Sequence, residues 1–154
     1  MGTFDVVRQF NFPTIIRFGA GAVKELPAYL KSNGLSKPLI VTDPNVAAVP
    51  FFKGIVEVLK ANGLSVEVFS DIHKNPVKSD VYKGVAMWDN TNRDSVVGIG
   101  GGAGLDVARA VLLGINHRED LFKYDDLIGG DVYVTNDVPH FVTIPTTSGT
   151  GSEV

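Results

Sequence analysis

The stretch that most constrains this chain is Val96 to Leu113, Val-Val-Gly-Ile-Gly-Gly-Gly-Ala-Gly-Leu-Asp-Val-Ala-Arg-Ala-Val-Leu-Leu. An apolar segment, Ser95 to Ile99, runs into five glycines within seven residues. These lead into a segment too long and too rich in Ala and Leu to be a second strand. The order is strand, glycine turn, helix. The first turn of such a helix leaves N–H groups without internal partners, and glycines at Gly100 to Gly102 carry no Cβ to hold a ligand away from them. The aligned peptide dipoles place roughly half a positive charge at that end, so a pyrophosphate there gains hydrogen bonds and a favourable field. The same glycines could instead serve only a tight crossing between strand and helix.

Spacing alone does not decide between these. Gly98, Gly100 and Ala103 satisfy G-x-G-x-x-G/A literally, which would put a ribose-binding acid about 20 residues on, near Glu119 or Asp120. Those acids follow Asn116-His-Arg, a polar turn after a helix. The acid of that fingerprint should close a second strand, so this register is disfavoured.

The chain has 154 residues, 44% of them hydrophobic, a size that folds as one domain and buries about 70% of its unfolded surface. It has no cysteine, which excludes disulfides and thiolate metal sites and fits a reducing compartment. The N-terminus lacks a basic region followed by an apolar one, and no apolar run approaches the ~20 residues that span a bilayer. The expectation is a cytoplasmic protein with no membrane partner. A net charge of −3 with acids and bases interspersed gives no footprint for nucleic acid.

Taken in order, the β-branched run near Thr14 to Phe18 predicts a strand ended by glycines. Ala22 to Asn33 has Val23, Leu26 and Leu30 at helical spacing, with Pro27 delaying the start and Gly34 in the capping place. Pro38 to Asp43 is an apolar strand closed by an acid, and Phe51 to Asn62 is a helix with Phe52, Ile55, Val56 and Leu59 on one face. Leu64 to Ile72 alternates as a strand, Ser79-Asp80 can cap a helix through Trp88, and Asn116 to Val138 has no clean period. Phe141 to Ile144 reads as a buried strand. The alternation predicts an α/β fold, an open, mostly parallel Rossmann-like sheet with helices on both faces. Thr150-Gly-Ser-Glu153 has the capping-box form that begins a helix. The expectation is that residues 1–154 are an N-terminal part of a longer protein, cut at the start of a helix; a natural terminus with a Ser/Thr/Gly tail is the alternative.

In a parallel sheet ligands bind along the edge formed by the strand C-termini. Asp43, Asn75-Pro76, Gly100 to Asp106 and Thr146 to Thr150 should all reach it. A carboxylate can accept from a ribose diol, glycine amides can hold pyrophosphate, and threonine hydroxyls can bond either. Each has a plainer reading as a turn or cap residue, but together they favour a dinucleotide. Asp106 fits the first helical turn for its charge alone, with Arg109 as an i,i+3 partner; facing a ligand, it should lie away from the phosphates. His73, His117 and His140 show no metal spacing and read as surface or structural. There is no nucleophile elbow around Ser148 and no P-loop, so no catalytic residue is assigned.

Gly100-Gly-Gly-Ala-Gly-Leu-Asp-Val-Ala-Arg109 and Ile144-Pro-Thr-Thr-Ser-Gly-Thr-Gly-Ser-Glu-Val154 resemble the two signature stretches of the iron-containing alcohol dehydrogenases, relatives of glycerol dehydrogenase and dehydroquinate synthase. The resemblance runs in order from Phe18-Gly-Ala-Gly-Ala through Val41-Thr-Asp43 and Asn75-Pro76 to the last residue, and the second stretch favours the alcohol dehydrogenase branch. It implies an N-terminal α/β domain that binds NAD(P), followed by an all-helical domain holding a divalent metal, iron in the family's name. The family's G-G-G-S-x-x-D-x-x-K corresponds to Gly100 to Arg109, with Ala103 in place of serine and Arg109 in place of lysine. The alanine removes one hydroxyl, leaving backbone amides to carry that phosphate contact.

The cofactor residues implied are Asp43, Asn75, Gly101, Gly102, Ala103, Asp106, Thr146, Thr147 and Thr150. The metal ligands, an aspartate and three histidines, fall beyond this sequence, so no metal residue is assigned. The resemblance implies hydride transfer between NAD and an alcohol or aldehyde by the whole protein, assembled as a homodimer or higher homo-oligomer. Asp43 favours NAD over NADP, and the piece alone is expected to be inactive. The alternatives are a nucleotide-binding module without chemistry of its own, and a polyol or hydroxyacid dehydrogenase of the same superfamily.

Overall fold

The computed structural model describes residues 14–153. Four strands form one parallel sheet: β1 (Pro38–Val41), β2 (Glu67–Phe69), β3 (Ser95–Gly100) and β4 (His140–Pro145), in the order β2-β1-β3-β4. Five α-helices accompany them: α1 (Leu26–Ser32), α2 (Pro44–Ala48), α3 (Pro50–Ala61), α4 (Lys78–Thr91) and α5 (Gly102–Asn116). The open parallel α/β sheet expected from the alternation is therefore the fold. The two inner strands, β1 and β3, are buried along their whole length, which is why they read as apolar runs rather than alternating ones.

Side-chain alternation divides the core. Leu39, Val41 and Val96 face α4 and α5, where they join Val81, Val85, Val107, Val111 and Ile115. Ile40, Val97 and Ile99 face the other way, against Leu26 and Leu30 of α1 and Phe52 and Leu59 of α3. The chain goes outward from β1 to β2, then crosses back over β1 to β3. Right-handed crossovers put the helices of those two steps on opposite faces and leave a switch point between β1 and β3. Two glycines allow close packing on the α4/α5 side. A Cβ on Gly98 would lie 3.0 Å from the Cβ of Ala108, and one on Gly84 would lie 2.5 Å from Val111 Cγ2.

Several local expectations are corrected. The strand expected near Thr14 to Phe18 is absent: Ile15, Ile16 and Phe18 are exposed, with no neighbouring strand to pair with among the described residues, and residues 11–13 lie outside them. Ala22 to Asn33 is a 3-10 turn, Ala22–Glu25, and then α1, with Pro27 in the first helical turn where its missing N–H costs nothing. The strand expected over Leu64 to Ile72 narrows to three residues, paired with Leu39, Ile40 and Val41. Residues 121–133, without a period in sequence, form three 3-10 turns. They are fastened to α4 by Arg118 on Asp89, by Lys78 on Asp120 and by the amide of Leu121 on Tyr82 Oη. The helix expected to begin at Thr150 falls at the limit of the described residues: its first α-helical bond would run from the amide of Val154, outside them, and residues 151–153 form a bend and a turn.

Candidate functional site

The site is assembled where β1, β3 and β4 end. Asp43 follows β1 and is the N-cap of α2, a short helix opened by Pro44. Its Oδ1 accepts from the amides of Asn45 at 2.9 Å and Val46 at 3.0 Å. The plain reading of Asp43 as a residue that shapes the turn before its proline is thus correct for one oxygen. The other, Oδ2, points across the switch point, 3.5 Å from where a Cβ on Gly100 would stand and 3.7 Å from one on Gly104.

Gly101 is the N-cap of α5, and no side chain caps that helix. The first helical bond runs from the amide of Leu105 to the carbonyl of Gly101, so the amides of Gly102, Ala103 and Gly104 are the helix's unpartnered donors. Over them folds the segment that leaves β4. The amide of Thr146 donates to the carbonyl of Gly100 at 2.8 Å. A Cβ on Gly101 would lie 3.1 Å from Thr147 Oγ1, and one on Gly102 would lie 3.4 Å from both Thr150 Cβ and Ser152 Oγ. The glycines are needed here because the threonine segment comes this close. The result is a helix N-terminus with free amides, two threonines beside it and one carboxylate oxygen opposite, a donor and acceptor set that suits a phosphorylated ribose.

Of the residues singled out from the sequence, Asp43, Gly101, Gly102, Ala103, Thr146, Thr147 and Thr150 are brought together. Asn75 is exposed in the β2–α4 loop, on the same edge but with no hydrogen bond to this group among the described residues. Asp106 is exposed at the fifth residue of α5 and so lies past the first turn, because the helix begins at Gly102. Its expected pairing with Arg109 is not made: Arg109 Nη2 instead donates to the carbonyl of Ser152 at 3.0 Å, holding the returning segment against α5. The capping box at Thr150 is also rearranged. Thr150 Oγ1 accepts from the amide of Ser152 and donates to Glu153 Oε2.

The histidines are separate. His117, 4% exposed, contacts the carbonyl of Leu113 through Nδ1 and accepts from the amide of Asn136 at Nε2, which fixes its tautomer and its structural role. His140 meets Tyr29 Oη at 3.0 Å. His73 Nδ1 lies 2.7 Å from Oδ1 of Asp80, a pair that sequence reading missed. Asp80 is fully buried and also accepts from the amides of His73 and Val77 at 3.1 Å. Burial alone would push its carboxyl up, but the Val77 amide and the His73 ring and amide outweigh that and hold it below the usual carboxylate range. The helix N-cap is accordingly Val77, with Asp80 reaching back to it, rather than Ser79-Asp80. The only signal was an acid three residues past the N-cap, with a histidine seven residues before that acid.

A cavity of about 690 Å³ lies elsewhere, along β4, lined by Phe18, Leu26, Tyr29, Val142 and Ile144. It reaches the β4 end of the site only through Pro145, Arg109 and Glu153. No helix of the described residues is long and apolar enough to cross a membrane.

Comparison with known proteins identifies the family. The sequence pattern of the family described as iron-containing alcohol dehydrogenase matches residues 13–154. A choline dehydrogenase of Bacillus subtilis is 34% identical over 145 residues, covering 94% of this chain and 36% of that protein. An NAD-dependent methanol dehydrogenase of Bacillus methanolicus is 34% identical over 145 residues, covering 94% and 37%. The crystal structure of a 1,3-propanediol oxidoreductase superposes with a TM-score of 0.83 at 28% identity, over 96% of this chain and 38% of that one. The chain thus spans little more than a third of the length of these relatives. On the family pattern and these identities, the chain belongs to the iron-containing alcohol dehydrogenase family.

Proposed function

We propose that residues 1–154 form the NAD-binding domain of a dehydrogenase that transfers a hydride between NAD and an alcohol or aldehyde. The observation that carries this reading is the meeting of Asp43 Oδ2, the uncapped N-terminus of α5 and the Thr147 and Thr150 side chains at one switch point. In it the amides of Gly102, Ala103 and Gly104 hold the pyrophosphate, Thr147 and Thr150 add hydroxyl contacts, and Asp43 accepts from the adenosine ribose. NAD supplies the hydride acceptor and its reduced form the donor. The methanol dehydrogenase relative is NAD-dependent by name.

A substrate class follows only coarsely. The relatives act, by name, on choline, methanol and 1,3-propanediol, which share a carbon bearing a hydroxyl and little else. Among the described residues no three His, Asp or Glu side chains are grouped to hold a metal, so these residues do not fit that group. The divalent metal, iron by the family's name, is proposed to be held outside this chain. The proposed setting is the cytoplasm, as a homodimer or larger homo-oligomer.

The test is binding of NADH to the 154-residue chain, read by nicotinamide fluorescence, beside the variant Gly102→Val. Its added side chain would press on Thr150 and Ser152 and fill the space over the free amides. Saturable binding by the parent, weakened in the variant, is expected. No saturable signal from the folded parent contradicts the reading.

A further inference from the structure

The two edges of the sheet are finished differently. β2 is three residues long and begins with the exposed Glu67, and a short, charged edge strand resists pairing with another chain. β4, at the other edge, has six residues, His140-Phe-Val-Thr-Ile-Pro145, with no Asp, Glu, Lys or Arg. Its register with β3 runs from His140 to Pro145 without a bulge, and no strand lies beyond it among the described residues.

The register fixes which backbone groups face outward. The amide of Thr146 donates to the carbonyl of Gly100, and Gly100 stands opposite Pro145. Alternate residues of a strand turn their N–H and C=O to the same side, so Val142 and Ile144 also face β3. Phe141 and Thr143 therefore present N–H and C=O to the open side. Pro145, which has no N–H, also faces outward, where a proline costs the sheet no bond. The cavity of about 690 Å³ runs along this edge, with Val142 and Ile144 in its wall and the exposed Ile15 and Phe18 also lining it.

Unpaired amides beside an apolar groove suit a further strand, and β4 is complementary to itself. Run antiparallel about a two-fold axis at Val142, Phe141 of each copy stands opposite Thr143 of the other, and the two pairs exchange four N–H···O bonds. Both outward amides of this stretch are used, Pro145 falls outside it, and no charge on either strand is brought against a like charge. We propose that two copies of this chain pair through the outer edges of β4, joining their sheets into one. The proposal gives a surface to the homo-oligomer proposed above, rests on that reading and is independent of where the cofactor binds.

The experiment is sedimentation of the 154-residue chain beside Thr143→Pro and Thr143→Val. Proline removes an outward amide and no bond to β3; valine keeps the amide and loses only the hydroxyl that donates to the carbonyl of Glu153. The parent should dimerise, Thr143→Pro should raise the dissociation constant about tenfold to a hundredfold through two lost bonds, and Thr143→Val should change it less than about threefold. The chain has no cysteine, so Val142→Cys can form a disulfide only between copies. On the axis its Cα atoms would stand about 4.5 Å apart, within disulfide reach, and it should cross-link at least about tenfold faster than Ile144→Cys, which would stand opposite His140. These rates decide the matter if the proline variant does not fold. A dimer indifferent to Thr143→Pro, or cysteine rates that do not differ, would overturn the β4 surface alone; a parent that stays monomeric at millimolar concentration would overturn the homo-oligomer as well.

Discussion

Asp43 Oδ2 lies 3.5 Å from the position a Cβ would take on Gly100, so the carboxylate that follows β1 and the glycine loop that ends β3 face each other across the centre of the sheet. A 2′-phosphate bound beside Asp43 would bring like charges together. At about 4 Å and an effective dielectric near 20 they repel by roughly 4 kcal/mol, before solvent and counterions reduce it. A third of that corresponds to about a tenfold preference for NAD over NADP. Asp43→Asn keeps an oxygen for the amides of Asn45 and Val46 and removes the charge. It should shrink the preference several-fold while leaving the melting temperature nearly unchanged, as calorimetric titration with both cofactors would show. An unchanged ratio would mean that Asp43 serves only α2.

Gly101 and Thr147 supply a second handle on the site. A Cβ on Gly101 would stand 3.1 Å from Thr147 Oγ1, so Gly101→Ala moves the threonine by a few tenths of an ångström at least. The variant should fold and bind NAD about tenfold more weakly, the order of one misplaced hydrogen bond and a disturbed amide. Wild-type affinity in Gly101→Ala would mean that Thr147 takes no part in binding.

Acid should loosen the fold through two carboxylates. Asp94, at the start of β3, accepts from the amides of Ser36 and Lys37 at 2.7 and 2.8 Å and so ties β3 to the approach to β1. Burial would raise its carboxyl, but these amides and the hydroxyls of Ser95 and Ser36 hold it below the usual range, as the donors around Asp80 hold that one. A carboxyl depressed on folding contributes stability in full above its unfolded value, near 3.9, and loses it as pH falls through the folded value. Urea midpoints should therefore be level near neutrality and fall below about pH 4, less steeply in Asp94→Asn. A midpoint that does not fall in acid would contradict this.

How far these features were legible depends on their range. The β3–glycine–α5 unit could be read because periodicity, composition and glycine content change together within a few residues, and Asp43 because an acid closes an apolar run. Helix α2 could not, since five residues carry no period, and its cap is the same Asp43 that suggested a ligand. The partner of Arg109 was missed because Asp106 is near in sequence while Ser152 is near only after β4 returns the chain. The pairing of His73 with Asp80 likewise depends on the loop between them closing. Both signals in residues 121–133 were absent: three 3-10 turns have neither the strand nor the helix period.

The exposed apolar side chains of Ile15, Ile16 and Phe18, the last fully exposed, predict that the chain associates with itself at high concentration. Sedimentation should show dimers or larger species that Phe18→Ser together with Ile15→Ser diminishes. A parent that stays monomeric at millimolar concentration would contradict this expectation.

The location of the cofactor is the central claim, and backbone amide shifts of the isotope-labelled chain during titration with NAD test it most directly. The largest shifts should fall on Gly101 to Gly104, on Asn45 and Val46 beside Asp43, and on Thr147 to Ser152. Saturable shifts confined to the β4 cavity, around Phe18, Leu26 and Val142, or no shifts at all, would contradict it.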